Sequence, residues 1–538
     1  MKALDKEILR LAIPSILANI TVPLVGMVDI AVAGHLHSAI PGSLAPAASG
    51  SAAAFIGGIS VGALLLNVIY WNFFFIRAST GGLTAQAFGR RNAESGMKHE
   101  VDDEQKPDGR GRSFLRGPAR GGSGCPQPSA SAPTPGSLLI HSVALAFGFA
   151  ALLLGLQWPL SRLAYLFADR TPAVAELAIR YFFIRVWAAP ATLSLMAIKG
   201  WFIGMQDTVS SMFTDLIVNV VNIVASIVLT LGLGSWQGIG FDGIALGTVV
   251  AQYCGLAFAA AVIAIKYRSE FTAVATEHDG CQPATADAVF CEGPRVAVAD
   301  VSGRPAGSNR LSAAGFRPFF ALNCDLFIRS LCFTGIYLGY TVIAAQYGEV
   351  LLATSNIMMT LMMLFSYFTD GFAYAGEALT GRFIGERDRK MTLQSIGGTF
   401  KWSFAIAGVW MLIYILAGDP LLRIMTDDTT VLDACRCFLP WLIVMPPLGC
   451  AAFAWDGIYV GATASLPIRN GMILALAAFY GCWYLGRAFI PGSAPVAEPA
   501  PWQASVPAIH LLLAAYFAHI VARTVYLTIG FRHRIMDR

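Results

Sequence analysis

Gly200-Trp201-Phe202-Ile203-Gly204 is echoed by Gly457-Ile458-Tyr459-Val460-Gly461, 257 residues further on. Pro190 and Pro447 keep the same separation. Earlier in each half, Leu83-Thr84 and Gly89 are echoed by Leu379-Thr380 and Gly385, now 296 residues apart. The two separations differ by 39 residues, close to the length of the Gly-, Pro- and Ser-rich stretch 97–136. One insertion into one copy of a repeat accounts for both numbers, so the chain reads as two homologous halves.

Each half has room for six membrane spans. A span takes roughly 20 apolar residues. Twelve stretches qualify: 11–34, 54–76, 137–157, 178–198, 211–233, 243–266, 318–346, 350–376, 396–418, 437–460, 469–490 and 504–530. Of 538 residues, 56% are hydrophobic and 13% charged, the charged share being about half that of a soluble domain. The first apolar segment is too long for a cleavable signal and runs on toward more membrane. The expected fold is therefore an all-α membrane protein of twelve transmembrane helices in two pseudo-symmetric six-helix lobes. The first lobe covers 1–267, a cytoplasmic linker 268–313, and the second lobe 314–538. Stretches 97–136 and 268–313 read as disordered cytoplasmic segments. Six spans per half make the copies parallel, with substrate held between them near the midplane.

Loop charge sets the orientation. Lys2, Lys6 and Arg10, then Arg90 and Arg91, then Arg382, Arg387, Arg389 and Lys390, and finally Arg532, Arg534 and Arg538 fall on one side, whereas 35–53 has no Lys or Arg. Both termini are thus expected in the cytoplasm, with the protein in the inner (plasma) membrane. The net charge of +4 is spread over short loops and offers no basic face for nucleic acid. The ten Cys form no disulfide framework. Cys435 and Cys437 lack the usual metal-ligand spacing, so no metal is expected. There is no Walker loop, no zinc-protease helix and no nucleophile elbow. A transporter without cofactor or catalytic residues, working as a monomer, is the expectation.

Ionisable groups at bilayer depth need partners or water. Asp29 lies in the first span, six residues after Pro23. A proline there frees a backbone carbonyl and favours a bend. An acid beside a bend suits a proton-driven switch better than a helix-end cap. In the fifth span Asp215, Asn219, Asn222 and Ser226 fall within about 60° on one helical face. That stripe faces protein or water, as interhelical glue or as cavity lining. In the eighth span Ser366, Asp370, Tyr374 and Glu377 share a face, with Asn356 near it. Asp370 suits cation attraction or proton relay; Glu377 equally suits pairing with an Arg. Asp456, just before the second glycine motif, is a further polar candidate, and Arg77 reads as an interfacial anchor.

The chain resembles the multidrug and toxic compound extrusion (MATE) transporters, in the DinF-like branch. The resemblance is carried by Pro23-Leu24-Val25-Gly26-Met27-Val28-Asp29, by Phe75-Ile76-Arg77 with Thr80-Gly81-Gly82-Leu83-Thr84-Ala85-Gln86-Ala87-Phe88-Gly89, and by Gly200-Trp201-Phe202-Ile203-Gly204-Met205-Gln206-Asp207-Thr208. Thr369-Asp370-Gly371-Phe372-Ala373-Tyr374-Ala375-Gly376-Glu377 and Asp456-Gly457-Ile458-Tyr459-Val460-Gly461-Ala462-Thr463 complete it. It implies a V of two lobes, and multidrug efflux of small organic, often cationic compounds by antiport against H⁺ or Na⁺. It implies that Asp29 couples transport to the ion, with Asn222 and a partner one turn on. That partner is Ser226, which does not titrate, leaving Asp370 and Glu377 to contribute more. Thr248 resembles the family's sixth-helix threonine. The alternative is a lipid-linked oligosaccharide flippase of the same superfamily, which calls for a more cationic central cavity.

Overall fold

The computed structural model describes residues 2–39, 52–104, 133–163, 165, 172–234, 236–271, 313–490 and 502–536. Among these, 12 helices are long and apolar enough to cross a membrane: Ala3–Asp29, Phe55–Ser95, Pro135–Gly155, Val174–Gly204, Thr208–Leu231, Phe241–Lys266, Phe320–Tyr347, Glu349–Gly385, Arg389–Met425, Thr429–Gly461, Ser465–Phe489 and Trp502–Thr528. They correspond one to one with the expected spans, and are called the first to twelfth below. Most of the two polar stretches, 105–132 and 272–312, lies outside the described residues.

Several boundaries differ from expectation, and the extensions of the second and eighth spans share one reason. The second span continues through Phe75–Glu104 after a break at Phe73–Phe74, and the eighth runs on to Gly385. Residues 97–104, expected within a disordered stretch, are helical. Ser79-Thr80-Gly81-Gly82 and Gly376-Glu377 depress hydropathy, so the apolar run stops early. The structure packs these small and polar residues against other helices instead of lipid. Arg77 accordingly lies inside the second span, not at its interface. Pro14 and Pro23 are both accommodated within one continuous first helix, Lys2–Ala39. At Pro190 the fourth span changes through a 3₁₀ turn, Val186–Ala188, whereas Pro446 and Pro447 sit within the continuous helix Thr429–Gly461.

The repeat is visible in backbone contacts. A side-chain carbon on Gly200 would strike the carbonyl of Arg77, and one on Gly457 the carbonyl of Ala373. Gly204 meets the carbonyl of Gly81 in the same way, and Gly461 that of Glu377. Every one of these pairs obeys the separations 257 and 296. The fourth span thus lies on the second as the tenth lies on the eighth. The turns that follow also agree. Gln206 and Thr463, equivalent in the repeat, both have positive φ, 60° and 51°, a conformation that is costly for a β-branched residue.

The two halves meet across the same pseudo-symmetry. Gly89 abuts the Arg382 carbonyl, and Gly385 abuts the Gln86 carbonyl. Gln86 Nε2 donates to Thr463 Oγ1 (3.1 Å), and its counterpart Arg382 Nη1 donates to Gln206 Oε1 (3.3 Å). These contacts, with Arg382–Glu7 and Lys401–Asp5, gather at the end that carries the loop Lys and Arg residues. Farther along, Asn19 Nδ2 donates to the Tyr367 carbonyl, and Asn72 faces Thr334. Val22, Met27 and Asn356 beyond them are exposed.

Between the fourth and fifth spans, Asp207 caps the fifth. It accepts from Ser210, Lys266 Nζ (2.7 Å) and Tyr267 OH (2.8 Å). Burial pushes its carboxylate up, but these three partners together hold it below the usual carboxylate range.

Two predictions follow from this packing. Gly457→Val is expected to cost about 1–3 kcal/mol or to abolish folding, whereas Gly408→Ala, which faces open space, stays within about 0.5 kcal/mol of wild type. Thermal unfolding in detergent reads both. Because the folded Asp207 binds its proton less readily than the unfolded chain, its contribution is complete above the unfolded carboxylate range and disappears as pH falls through the folded value. Wild type is therefore expected to melt above Asp207→Asn at neutral pH, with the gap closing in strong acid; a gap independent of pH would refute this role.

Candidate functional site

Two polar clusters lie inside the bundle. The first is built by the first, fourth, fifth and sixth spans. Asn222 Nδ2 donates to Thr248 Oγ1 (2.9 Å), joining the fifth span to the sixth. The close approach that allows this comes from Gly247, whose missing side chain would strike Ser226. Asn219 Nδ2 donates to Thr21 Oγ1 on the first helix, and Asp215 pairs with Lys199 (2.8 Å). The fifth-span stripe therefore faces protein throughout. Asp29 is 5% exposed. It lies beside Ser226 and within electrostatic reach of Arg185, whose Nη1 donates to Tyr181 OH (2.7 Å).

Three oxygens in this cluster are buried without a hydrogen-bond partner among the described residues: Asp29 Oδ1, Asn222 Oδ1 and Ser226 Oγ. Each such atom typically costs about 1–3 kcal/mol. The carboxylate and amide oxygens can only accept. The cluster is thus short of donors, and a proton on Asp29 would supply one.

The second cluster lies between the halves and within the second. Arg77 Nη2 pairs with Glu377 Oε2 at 3.1 Å, the side chains being 8% and 0% exposed. Asp456 accepts from Arg329 (2.8 Å) and from Arg523 (3.0 Å). Asp370 makes no ion pair among the described residues, yet lies within electrostatic reach of all three arginines. Three carboxylates thus face three guanidinium groups. Ser366 and Tyr374 share the Asp370 face, Ser366 being spent on the Met363 carbonyl. Asn356 stands apart, exposed near the start of the eighth span.

Sequence reasoning brought together Asp29, Asn222, Ser226 and Thr248, which are neighbours here. It missed that Arg77 reaches across to the second half, and that Arg523 belongs to the Asp456 cluster. A signal for Arg523 was present: the twelfth span carries an arginine and no acid, so its partner had to come from another helix.

The MatE family model matches residues 134–228 and 326–480, one segment in each half. The chain is 29% identical over 480 residues to DNA damage-inducible protein F of Escherichia coli (strain K12), covering 88% of this chain and 84% of that one. Both halves of the chain are thus similar to the MatE family. Among plant members it is 23% identical to Protein DETOXIFICATION 42 of Arabidopsis thaliana, over 62% of this chain and 56% of that one. In fold it superposes on a MOP superfamily transporter from Pyrococcus furiosus with a TM-score of 0.69 at 15% identity, covering 99% of this chain and 96% of that chain. The chain is accordingly a multi-pass membrane transporter and not an enzyme.

In this transporter the Asp456 carboxylate neutralises two guanidinium groups. Asp456→Asn leaves Arg329 and Arg523 facing each other without it. Breaking a buried pair in this way costs about 3–5 kcal/mol. We expect a loss of that order in thermal stability, and expect Arg523→Met to recover part of it in the double variant; a stable single variant would show that water already solvates the cluster.

Proposed function

We propose that this transporter is a secondary active antiporter that exports organic, often cationic compounds in exchange for H⁺ or Na⁺ by alternating access. The reading rests on the donor-poor cluster around Asp29. Protonation would turn Asp29 from an acceptor into a donor toward Ser226 or Asn222, and would remove its charge from a buried site. That change falls on a helix with two divided duties. Up to Asn19 it packs on the second half; from Thr21 to Asp29 it packs on the fifth span of the first. Pro23, which lacks an N–H, lies just past the changeover and before Asp29, so a bend there moves the Asp29 end while the part of the helix held by the second half stays in place.

The basic end, where the halves are joined, is assigned to the cytoplasm by the positive-inside rule. The conformation described above is then outward-facing. Ion binding at Asp29 bends the first helix, the cavity of the first half shrinks and the substrate leaves outward. Return to the inward-facing state delivers the ion to the cytoplasm. Coupling needs only that ion and substrate compete for one conformational state.

The flippase alternative calls for surplus positive charge in the centre. The three arginines of the second cluster instead pair with Glu377 and Asp456 and lie within electrostatic reach of Asp370, and Arg185 lies within reach of Asp29. That balance favours the antiporter.

The test is efflux of a fluorescent cationic dye from cells or vesicles under an imposed proton or sodium gradient. Asp29→Asn is expected to lose gradient-driven efflux by at least about tenfold while folding normally. Efflux that survives the substitution moves the coupling to Asp370 or Glu377. Absence of efflux for every dye, with the wild type folded, sinks the multidrug reading in favour of the flippase.

A further inference from the structure

The contact between the halves contains one ion pair unlike the others. Lys401–Asp5 and Arg382–Glu7 are partly exposed, and pairs of that kind contribute little. Arg77–Glu377 is buried on both sides, and it joins the second span to the eighth. Its seat is shaped for it. The Glu377 carboxylate reaches into a notch on the first half that exists because residue 81 is glycine: a side-chain carbon there would strike Glu377 Oε1. The Arg77 guanidinium is held between the rings of Phe74, 4.5 Å from its centroid, and Tyr374, 4.4 Å away. One ring comes from each half. Arg77 Nε and Nη1 and Glu377 Oε1 have no hydrogen-bond partner among the described residues. The two charges therefore depend on each other.

We propose that Arg77 and Glu377 form an electrostatic lock that sets how long the two halves stay joined at the basic end, with Arg77 acting as a positioning residue for the transport cycle. The halves cannot part there without breaking this pair, whereas each half keeps its own internal charge pairs when they do. A paired buried charge is tolerated; a lone one is not, unless water reaches it. The sign of each substitution follows. Arg77→Gln strands the Glu377 carboxylate, and parting the halves is what hydrates it, so the open state gains. Glu377→Gln strands Arg77 less completely, because Asp370 lies two turns away on the same helix and within electrostatic reach, so its shift is smaller. Arg77→Gln with Glu377→Gln removes both charges and returns the population toward the joined state. Gly81→Ala fills the notch without altering charge and opens the contact as Arg77→Gln does.

The inference rests on alternating access but not on the coupling ion or the substrate, and its test uses neither. Hydrogen–deuterium exchange is followed on the full chain in lipid nanodiscs. In Arg77→Gln, amides of 78–92 and 378–388 are expected to exchange at least about tenfold faster than in wild type. Those of 349–358, at the opposite end, slow down, and those of 241–266, inside the first half, are unchanged. The double variant returns to within about threefold of wild type. Faster exchange everywhere, including 241–266, would mean that the pair only holds the fold together, and a double variant no closer to wild type than Arg77→Gln would overturn the lock. Failure of dye efflux would bear on the antiport reading alone and leave this result standing.

Discussion

The structure depends on the approach of helix backbones at six glycines. Inside a bilayer, apolar side chains gain little by leaving lipid for protein, so helices associate through close packing and polar contacts. Gly200, Gly204, Gly457 and Gly461 bring the fourth and tenth spans down onto carbonyl groups of the second and eighth. Gly89 and Gly385 then bring the second and eighth onto each other. A methyl group at any of these places would lie where a carbonyl oxygen already is. Once the second and eighth spans are set in this way, the side chains they carry at the crossing, Arg77 and Glu377, have no freedom to avoid one another.

That crossing also explains how the protein tolerates so much charge at bilayer depth. Each such group costs about 2.5–3.5 kcal/mol on insertion scales when it stands alone. Arg77, Arg329 and Arg523 are each bonded to a carboxylate, and each bond joins two helices. Charge is therefore used as a connector. The first cluster is built differently. Apart from the Lys199–Asp215 pair, its helices are joined by amide and hydroxyl hydrogen bonds, and Asp29 Oδ1 has no hydrogen-bond donor among the described residues. The second cluster is held chiefly by charge pairs between helices, the first chiefly by neutral hydrogen bonds around one acid.

Much of this was legible in the sequence, and the parts that were not share a cause. The repeat could be read because glycine contacts depend on residue identity at fixed separations, and the chain keeps both separations intact. The grouping of Asn222 with Ser226 followed from helical period. The reach of Arg77 did not, because the residues after it are small and polar, and hydropathy treats such a run as the end of a span. It is in fact the packed interface. The Asp456–Arg523 bond joins residues 67 positions apart on separate helices, and nothing in local pattern states which acid an isolated arginine will find. The stretches near 40–51, 105–132 and 272–312 fall outside the described residues, and His35 and His37 have no described side-chain surroundings.

The two halves repeat their backbone but not their chemistry, and the contrast bears on where coupling resides. At the separation of 257, Lys199 stands opposite Asp456, so equivalent positions in the fourth and tenth spans carry opposite charge. Asn219, Asn222 and Ser226 stand opposite Leu476, Phe479 and Trp483. In the eleventh span, Phe479 and Trp483 are fully buried in an apolar core. The seventh span therefore packs on aromatic and aliphatic surface where the first packs on a polar stripe. Both halves had the same backbone frame on which to build a polar site beneath their first helix, and only one has done so. A polar stripe buried against a proline-bearing helix is costly to keep. Its presence in one half and its replacement by close-packed aromatics in the other show that the bundle does not need it for packing, since the second half is held together without it; the antiport proposed above gives it a use.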